Sequence, residues 1–264
     1  MGLVSSDTLR YGEVSYKSLV RKFGRIAAAT ASPVILWDGG NGYNGWLPTE
    51  EDVQAVSTSI QDNPAGTGAY VLQFTGQGED GLEKTFQMIL NGTTAVKVSD
   101  TDPEVKFDVI YTAQVFSLNG LNLSPVTNVA NLGTITISSV TTGRTMALIK
   151  PNLGRTQMMI WRCPKDQYAE FIKVDVYPDG LKAVKAQIFG RSNKLASWIC
   201  VGQVDIEQGQ VQIPHPFPDY IGPGVDICLV VVPEQADTNV SAQFWIKKKP
   251  IINYAELKAK GLVQ

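Results

Sequence analysis

Few side chains in this sequence are equipped for chemistry, and their spacing decides what each could do. Gly40-Asn41-Gly42-Tyr43-Asn44-Gly45 has the GxGxxG spacing of a dinucleotide-binding loop, and the run Val34–Trp37 before it could be a strand. That chemistry needs a helix N-terminus aimed at a pyrophosphate within a βαβ unit. Here Trp46-Leu47-Pro48 follows instead, so the segment reads as a glycine-rich aromatic loop. His215, the only imidazole, sits in Ile213-Pro214-His215-Pro216-Phe217-Pro218, where alternate prolines impose an extended chain. No GxSxG elbow offers it a nucleophile, which leaves it a structural role.

The acids and thiols are no more pointed. Asp100-Thr101-Asp102-Pro103-Glu104 gathers three carboxylates in one turn, the donor type Ca2+ takes, but the other positions of a calcium loop are missing. Glu79-Asp80 and Glu50-Glu51-Asp52 could form a glycosidase pair only if the fold set their separation correctly. Cys163, Cys200 and Cys228 are odd in number, widely spaced and flanked by apolar residues, which predicts three buried free thiols rather than a disulfide frame or zinc site. These readings assign no catalytic residue, no metal ligand and no cofactor.

The elements that would have to position such groups are strands. Val56, Thr58 and Ile60 alternate with serines, and Tyr70, Leu72 and Phe74 as well as Phe86, Met88 and Leu90 repeat that period of two. Asp62–Gly68, Gly76–Gly81 and Asn91-Gly92 punctuate them, the last being a type I′ hairpin signal. Further strands are predicted over 105–111, 114–117 and 133–140, with Asn119-Gly120 as a turn. After a joint at Thr141-Thr142-Gly143 the pattern restarts over 146–149, 158–163, 170–176, 182–189, 197–205, 211–213, 225–232 and 240–246. No helical pattern long enough for a parallel crossover intervenes. The expectation is an all-β chain of two antiparallel sandwiches or jelly-roll-like units, over 49–142 and 143–250, preceded by an extended arm (1–48) and followed by a short tail helix (251–264). Within the arm, Ser15–Lys22 could form a helical turn too short to stand alone.

The arm also holds aromatic side chains that need covering: Tyr16, Phe23, Trp37, Tyr43 and Trp46, with Arg25 among them. A neighbouring subunit is the predicted cover, since such residues dominate interface energies. Lys247-Lys248-Lys249 reads as charge protecting a strand edge or touching a subunit. The 264 residues carry 23 Lys and Arg against 25 Asp and Glu, a net charge of −2. That balance argues against nucleic-acid binding by counterion release and supplies little repulsion between copies. No run approaches the ~18 apolar residues of a membrane span, and the first residues lack the apolar core of a secretion signal.

Four segments taken together, Lys22-Phe23-Gly24-Arg25, Leu36-Trp37-Asp38-Gly39-Gly40, Asp62-Asn63-Pro64-Ala65-Gly66-Thr67-Gly68-Ala69 and Leu90-Asn91-Gly92-Thr93-Thr94-Ala95-Val96, resemble a family of tailed-bacteriophage virion structural proteins. Pro216-Phe217-Pro218 is similar to that family's second β unit, whereas Ser117–Asn122 replaces a Gly/Ser-rich stretch. The resemblance implies a virion component without catalysis, assembled in the host cytoplasm with other capsid or tail proteins. A homo-oligomer, a trimer above all, is the expected state. Head decoration or a head-fibre base is the leading placement, with tail, collar or baseplate as the alternative. From another class, a carbohydrate-binding module would stack a host-surface glycan on Trp37, Trp46 and Trp198.

Overall fold

The computed structural model describes residues 19–29, 31–40, 42–116, 130–179, 182–207, 209, 211–214 and 220–251. Tyr16, the Asn119-Gly120 turn, His215, Pro216-Phe217-Pro218 and the tail helix expected over 251–264, save its first residue, lie outside them.

Strands of period two need a second sheet to cover their apolar face, and the chain meets this need twice. The first sheet pair is built from β3 (Val53–Ser57), β4 (Val71–Gln77), β5 (Glu83–Ile89), β6 (Val96–Lys97), β7 (Val109–Phe116), β8 (Ile135–Ser139) and β9 (Thr145–Ile149). They form antiparallel sheets of order β6-β3-β8-β9 and β5-β4-β7. Every second residue of β3 turns inward, so Val53, Ala55 and Ser57 are buried. Phe74 packs edge-on against Phe107 with ring centroids 5.2 Å apart.

The second pair draws on both ends of the chain. One sheet runs β1 (Leu19–Ala29), β17 (Thr238–Pro250), β11 (Gln167–Pro178), β14 (Val211–Pro214), and β15 (Tyr220–Ile221) also pairs with β11. The other runs β10 (Ile160–Arg162), β16 (Asp226–Pro233), β12 (Val184–Arg191), β13 (Ile199–Ile206), with β2 (Val34–Ile35) on β16. All pairings in both are antiparallel. The all-β expectation is therefore met.

Several boundaries move. Leu19–Lys22 is strand rather than helical turn, because Val20, Lys22, Gly24 and Ile26 alternate inward against Ile246, Phe244, Ala242 and Val240 of β17. Residues 19–48 are consequently not a free docking arm. They complete the second sheet pair and then cross to the first. Thr141-Thr142-Gly143 is not a domain joint but the turn between β8 and β9, with Gly143 at φ 67°. Asn91-Gly92 does turn, at Gly92 φ 58°, yet the chain leaves for β6 in the other sheet instead of pairing back on β5. The strands expected at 105–111 and 114–117 are one, β7. Of Lys247–Lys249, Lys247 is paired on both sides, with Leu19 of β1 and Glu170 of β11, while Lys248 and Lys249 pair on β11 alone among the described residues. Of the cysteines, Cys163 and Cys228 are buried and free as expected, whereas Cys200 is free but exposed on β13.

Candidate functional site

The polar groups that the sequence scatters widely meet at the joint between the two sheet pairs. Arg162 ends β10, and the register places it directly across from Asp226 of β16, which stands across from Arg191 of β12. Three adjacent strands thus present a cation, an anion and a cation side by side. Arg162 donates Nε to Asp226 Oδ1 at 2.6 Å and Nη2 to Oδ2 at 3.2 Å, and Arg191 Nε reaches the same Oδ2 at 2.6 Å. From the first sheet pair Asp108 accepts Arg162 Nη1 at 2.7 Å and also pairs with Lys194. Gln77 of β4 donates its amide to the Arg162 carbonyl at 2.9 Å. Burial alone would depress the Arg162 guanidinium, but the bonds and charge of Asp226 and then Asp108 outweigh it and hold its pKa above the ordinary value.

Residues 36–40 and 42–48 lie at this joint. Leu36 donates to the Leu229 carbonyl of β16, and Leu47 donates to Asp108 of the first pair at 2.8 Å. Between them Tyr43 donates its hydroxyl to the Met146 carbonyl at 2.9 Å. Its ring stands edge-on to Trp37 and Trp46, with centroids 5.1 and 4.8 Å away. Burial, followed by the Asp226 charge, lifts the Tyr43 phenol well above its usual range. Trp46 then tilts onto Trp198 at 4.8 Å, and the Arg191 guanidinium lies over both indoles, 5.3 and 4.6 Å from their centroids.

This arrangement relocates the residues expected to dock on partners. Trp37 and Tyr43 are buried by their own chain and Trp46 is half-buried, so the surface that covers them is intramolecular. Phe23 is half-buried and Arg25 exposed on β1, where a neighbour could still meet them. The indoles proposed to stack sugars are engaged with Tyr43, with Arg191 and with one another, leaving no open aromatic platform among the three.

The loop acids are engaged too. Glu50 accepts the Glu79 amide at 2.8 Å, Asp80 pairs with Lys84 at 3.0 Å, Glu51 accepts Ser139, and Asp52 accepts the Ser99 hydroxyl at 2.7 Å. Asp100 and Asp102 close their own turn by accepting the Lys97 and Glu104 amides. Among the described residues no three His, Cys, Asp or Glu side chains are grouped as metal ligands. Burial pushes the Cys163 thiol up to about 12 and the Cys228 thiol higher still, so neither is a ready nucleophile. A cleft of about 500 Å³ opens beside the ionic cluster, bounded by Pro48, Gln77, Lys165 and Asn193.

The far side of the joint is built differently. The inward face of β1 and β17 directs two lysines at the first sheet pair. Lys248 meets Glu83 at 3.0 and 3.1 Å, and Glu83 also accepts the Tyr111 hydroxyl at 2.8 Å. Lys22 is 5 % exposed and lies 5.8 Å from the Tyr111 ring centroid, with no carboxylate in ion-pair range among the described residues. Burial lowers its pKa to about 7. Arg162, Asp108 and Asp226 carry no motif spacing that marks them in the sequence. The usable signal was the placement of single charges at the ends of apolar runs, as in Met158–Arg162 and Asp226–Val232.

No protein-family model matches the chain, and no curated protein does. Solved structures similar to it include the Cowpea Mosaic Virus empty virus-like particle, at 10% identity and TM-score 0.20, covering 78% of this chain and 80% of that one. The T13 IBDV viral particle gives 9% and 0.26 over 87% and 68%, and the STIV MCP gives 9% and 0.24 over 91% and 99%. None of these reaches a TM-score from which a shared fold follows, so the architecture rests on the strand pairing described above. No helix among the described residues is long and apolar enough to cross a membrane.

Proposed function

We propose that the chain is a non-enzymatic structural protein of a tailed-phage virion, a homo-oligomer, and specifically a trimer, placed on the head as decoration or as the base of a head fibre. One observation carries the reading: the four segments behind the family resemblance all occupy positions that fix the architecture rather than positions that could react. In the first, Gly24 sits where a Cβ would overlap Met159, so only glycine lets β1 close on the second sheet pair. In the second, a Cβ on Gly39 would overlap the Trp37 ring. In the third, Asp62 is wholly buried and accepts the Ser57 hydroxyl at 2.5 Å and the Leu132 and Gly133 amides at 2.8 and 2.9 Å. The fourth is tied to it, since Gly92 donates to the Asp62 carbonyl at 3.0 Å.

A signature that specifies packing suits a protein whose task is shape. The engaged loop acids and the high thiol pKa values favour the same reading. Ile60 and Leu132, on the segments Asp62 ties together, are 66 % and 45 % exposed, and nearby Ile89 is 50 % exposed. Such residues are suited to cover by a second copy or another virion protein. A tail, collar or baseplate position is the second placement, to be separated from the first by location alone. Cryo-electron microscopy of the intact particle tests both. Density for this chain as a three-fold assembly on the head is the expected result, and its absence from purified particles overturns the proposal.

A further inference from the structure

The corner beneath β1 has a feature that shape alone does not require. A pocket of about 120 Å³ is lined by Arg21, Lys22, Phe23, Thr112, Arg155 and Thr156. Its walls come from three elements: β1, β7 and the segment leading to β10. Lys22 and Thr156 form its buried floor and Thr112 and Arg155 are exposed at its mouth, while the Arg21 guanidinium turns to the opposite face of β1 over Trp245. Two cations, Lys22 and Arg155, therefore face one small space, and no ion pair is made by either among the described residues. Arg21 spends Nε and Nη2 on the Gln243 side chain at 3.1 and 2.8 Å and leans over Trp245 at 4.9 Å. Thr156 exchanges bonds with the Ala113 backbone. Among the described residues, the Lys22 ammonium, the Arg155 guanidinium and the Thr112 hydroxyl donate to no acceptor.

A cation buried without a partner opposes folding, and like charges around it add to the opposition. An anion in the pocket would reverse both effects. We propose that this pocket binds a tetrahedral oxyanion, a phosphate or sulfate group held by Lys22 from below and by Arg155 and Thr112 from the mouth. A carboxylate offers two oxygens in one plane, whereas donors arriving from three walls suit oxygens that diverge. The groups facing Lys22 are Tyr111 and Thr112 on β7 and Arg155 on the third wall; its cross-strand neighbour is the apolar Phe244, and Arg21 beside it on β1 points to the other face. None supplies negative charge at neutral pH. Binding should therefore protonate Lys22, whose ammonium otherwise deprotonates near pH 7.

Titration calorimetry of the full chain with sulfate, whose charge is constant over the range, tests this. One sulfate per chain is expected, with affinity falling about tenfold between pH 6 and pH 8 and with proton uptake at pH 7.5 visible as a dependence of the heat on buffer. Lys22→Met should abolish both the binding and its pH dependence. Arg155→Gln, at an exposed position, should fold normally and weaken binding about tenfold while keeping the pH dependence. Repeating the titration with glycerol 2-phosphate separates the two sources. Binding by both ligands assigns the pocket to a phosphoryl group carried on a larger molecule, and binding of sulfate with exclusion of the ester assigns it to the free ion. No saturable sulfate binding by the wild type, or equal binding by wild type and both variants, overturns the proposal.

Discussion

Two sets of cations bridge the same pair of β units and are treated in opposite ways. On one side Arg162, Arg191 and Lys194 face Asp108 and Asp226, and almost every donor finds an acceptor. On the other Lys22 enters an equally dry setting with an aromatic ring and an arginine, Arg155, around it. The difference teaches what each side is for. A matched buried cluster fixes the angle between two bodies, because sliding them would strand a charge. An unmatched one costs stability and is kept for something that arrives later.

The contrast can be broken by removing charges in turn. Arg162→Met leaves Asp226 and Asp108 buried with less than their full complement, and urea denaturation should show a loss of about 3–5 kcal/mol. Lys22→Met should have the opposite sign. The folded-state pKa of Lys22 is depressed from 10.5 to about 7, so its destabilisation is complete below pH 7 and fades as pH rises toward 10.5. The variant should accordingly be more stable than wild type in low-phosphate buffer at pH 6, with the gap narrowing by pH 9. A loss of stability at pH 6 would mean that an acid partners Lys22 after all. Lys248→Met falls between the two cases. Its Glu83 partner is 30 % exposed and can rehydrate, so thermal unfolding should report a loss of about 1 kcal/mol. Arg155→Gln should move stability by less than about 0.5 kcal/mol without added anion, because its head group is already in water.

How much of this was legible in the sequence depended on range. The alternation in β4 and β5 was readable because a strand's two faces are written in adjacent residues. In β3, however, the expected apolar face Val56, Thr58 and Ile60 is the outer one. The strand ends at Ser57 and buries Val53, Ala55 and Ser57, because Ser57 bonds the buried Asp62. The partner of β1 was not readable, since Arg21 and Gln243 lie 222 residues apart and nothing local announces their pairing. Without that partner Val20, Phe23, Trp37 and Tyr43 look stranded, and a second subunit becomes the natural cover. Thr141-Thr142-Gly143 was misplaced for a related reason: a tight turn and a linker use the same small and polar residues. Cys200 follows Ile199, yet both are exposed, because they open the edge strand β13 beside a register shift, where neither face is covered. The ionic cluster was the least visible. Arg162 is 54 residues from Asp108 and 64 from Asp226, and only register brings them together.

The pairing of β1 with β17 also sets an order of events during synthesis. Residues 51–149 contain every strand of the first sheet pair and can close while the rest is still being made. β1 leaves the ribosome before them and waits for a partner 222 residues downstream, roughly 10–45 s at ordinary elongation rates. A bare strand of that length invites pairing with other nascent chains. Arg21, Lys22 and Arg25 place three like charges along it, which discourages copies from pairing before β17 is made. The same buried lysine that burdens the finished protein thus protects the unfinished one.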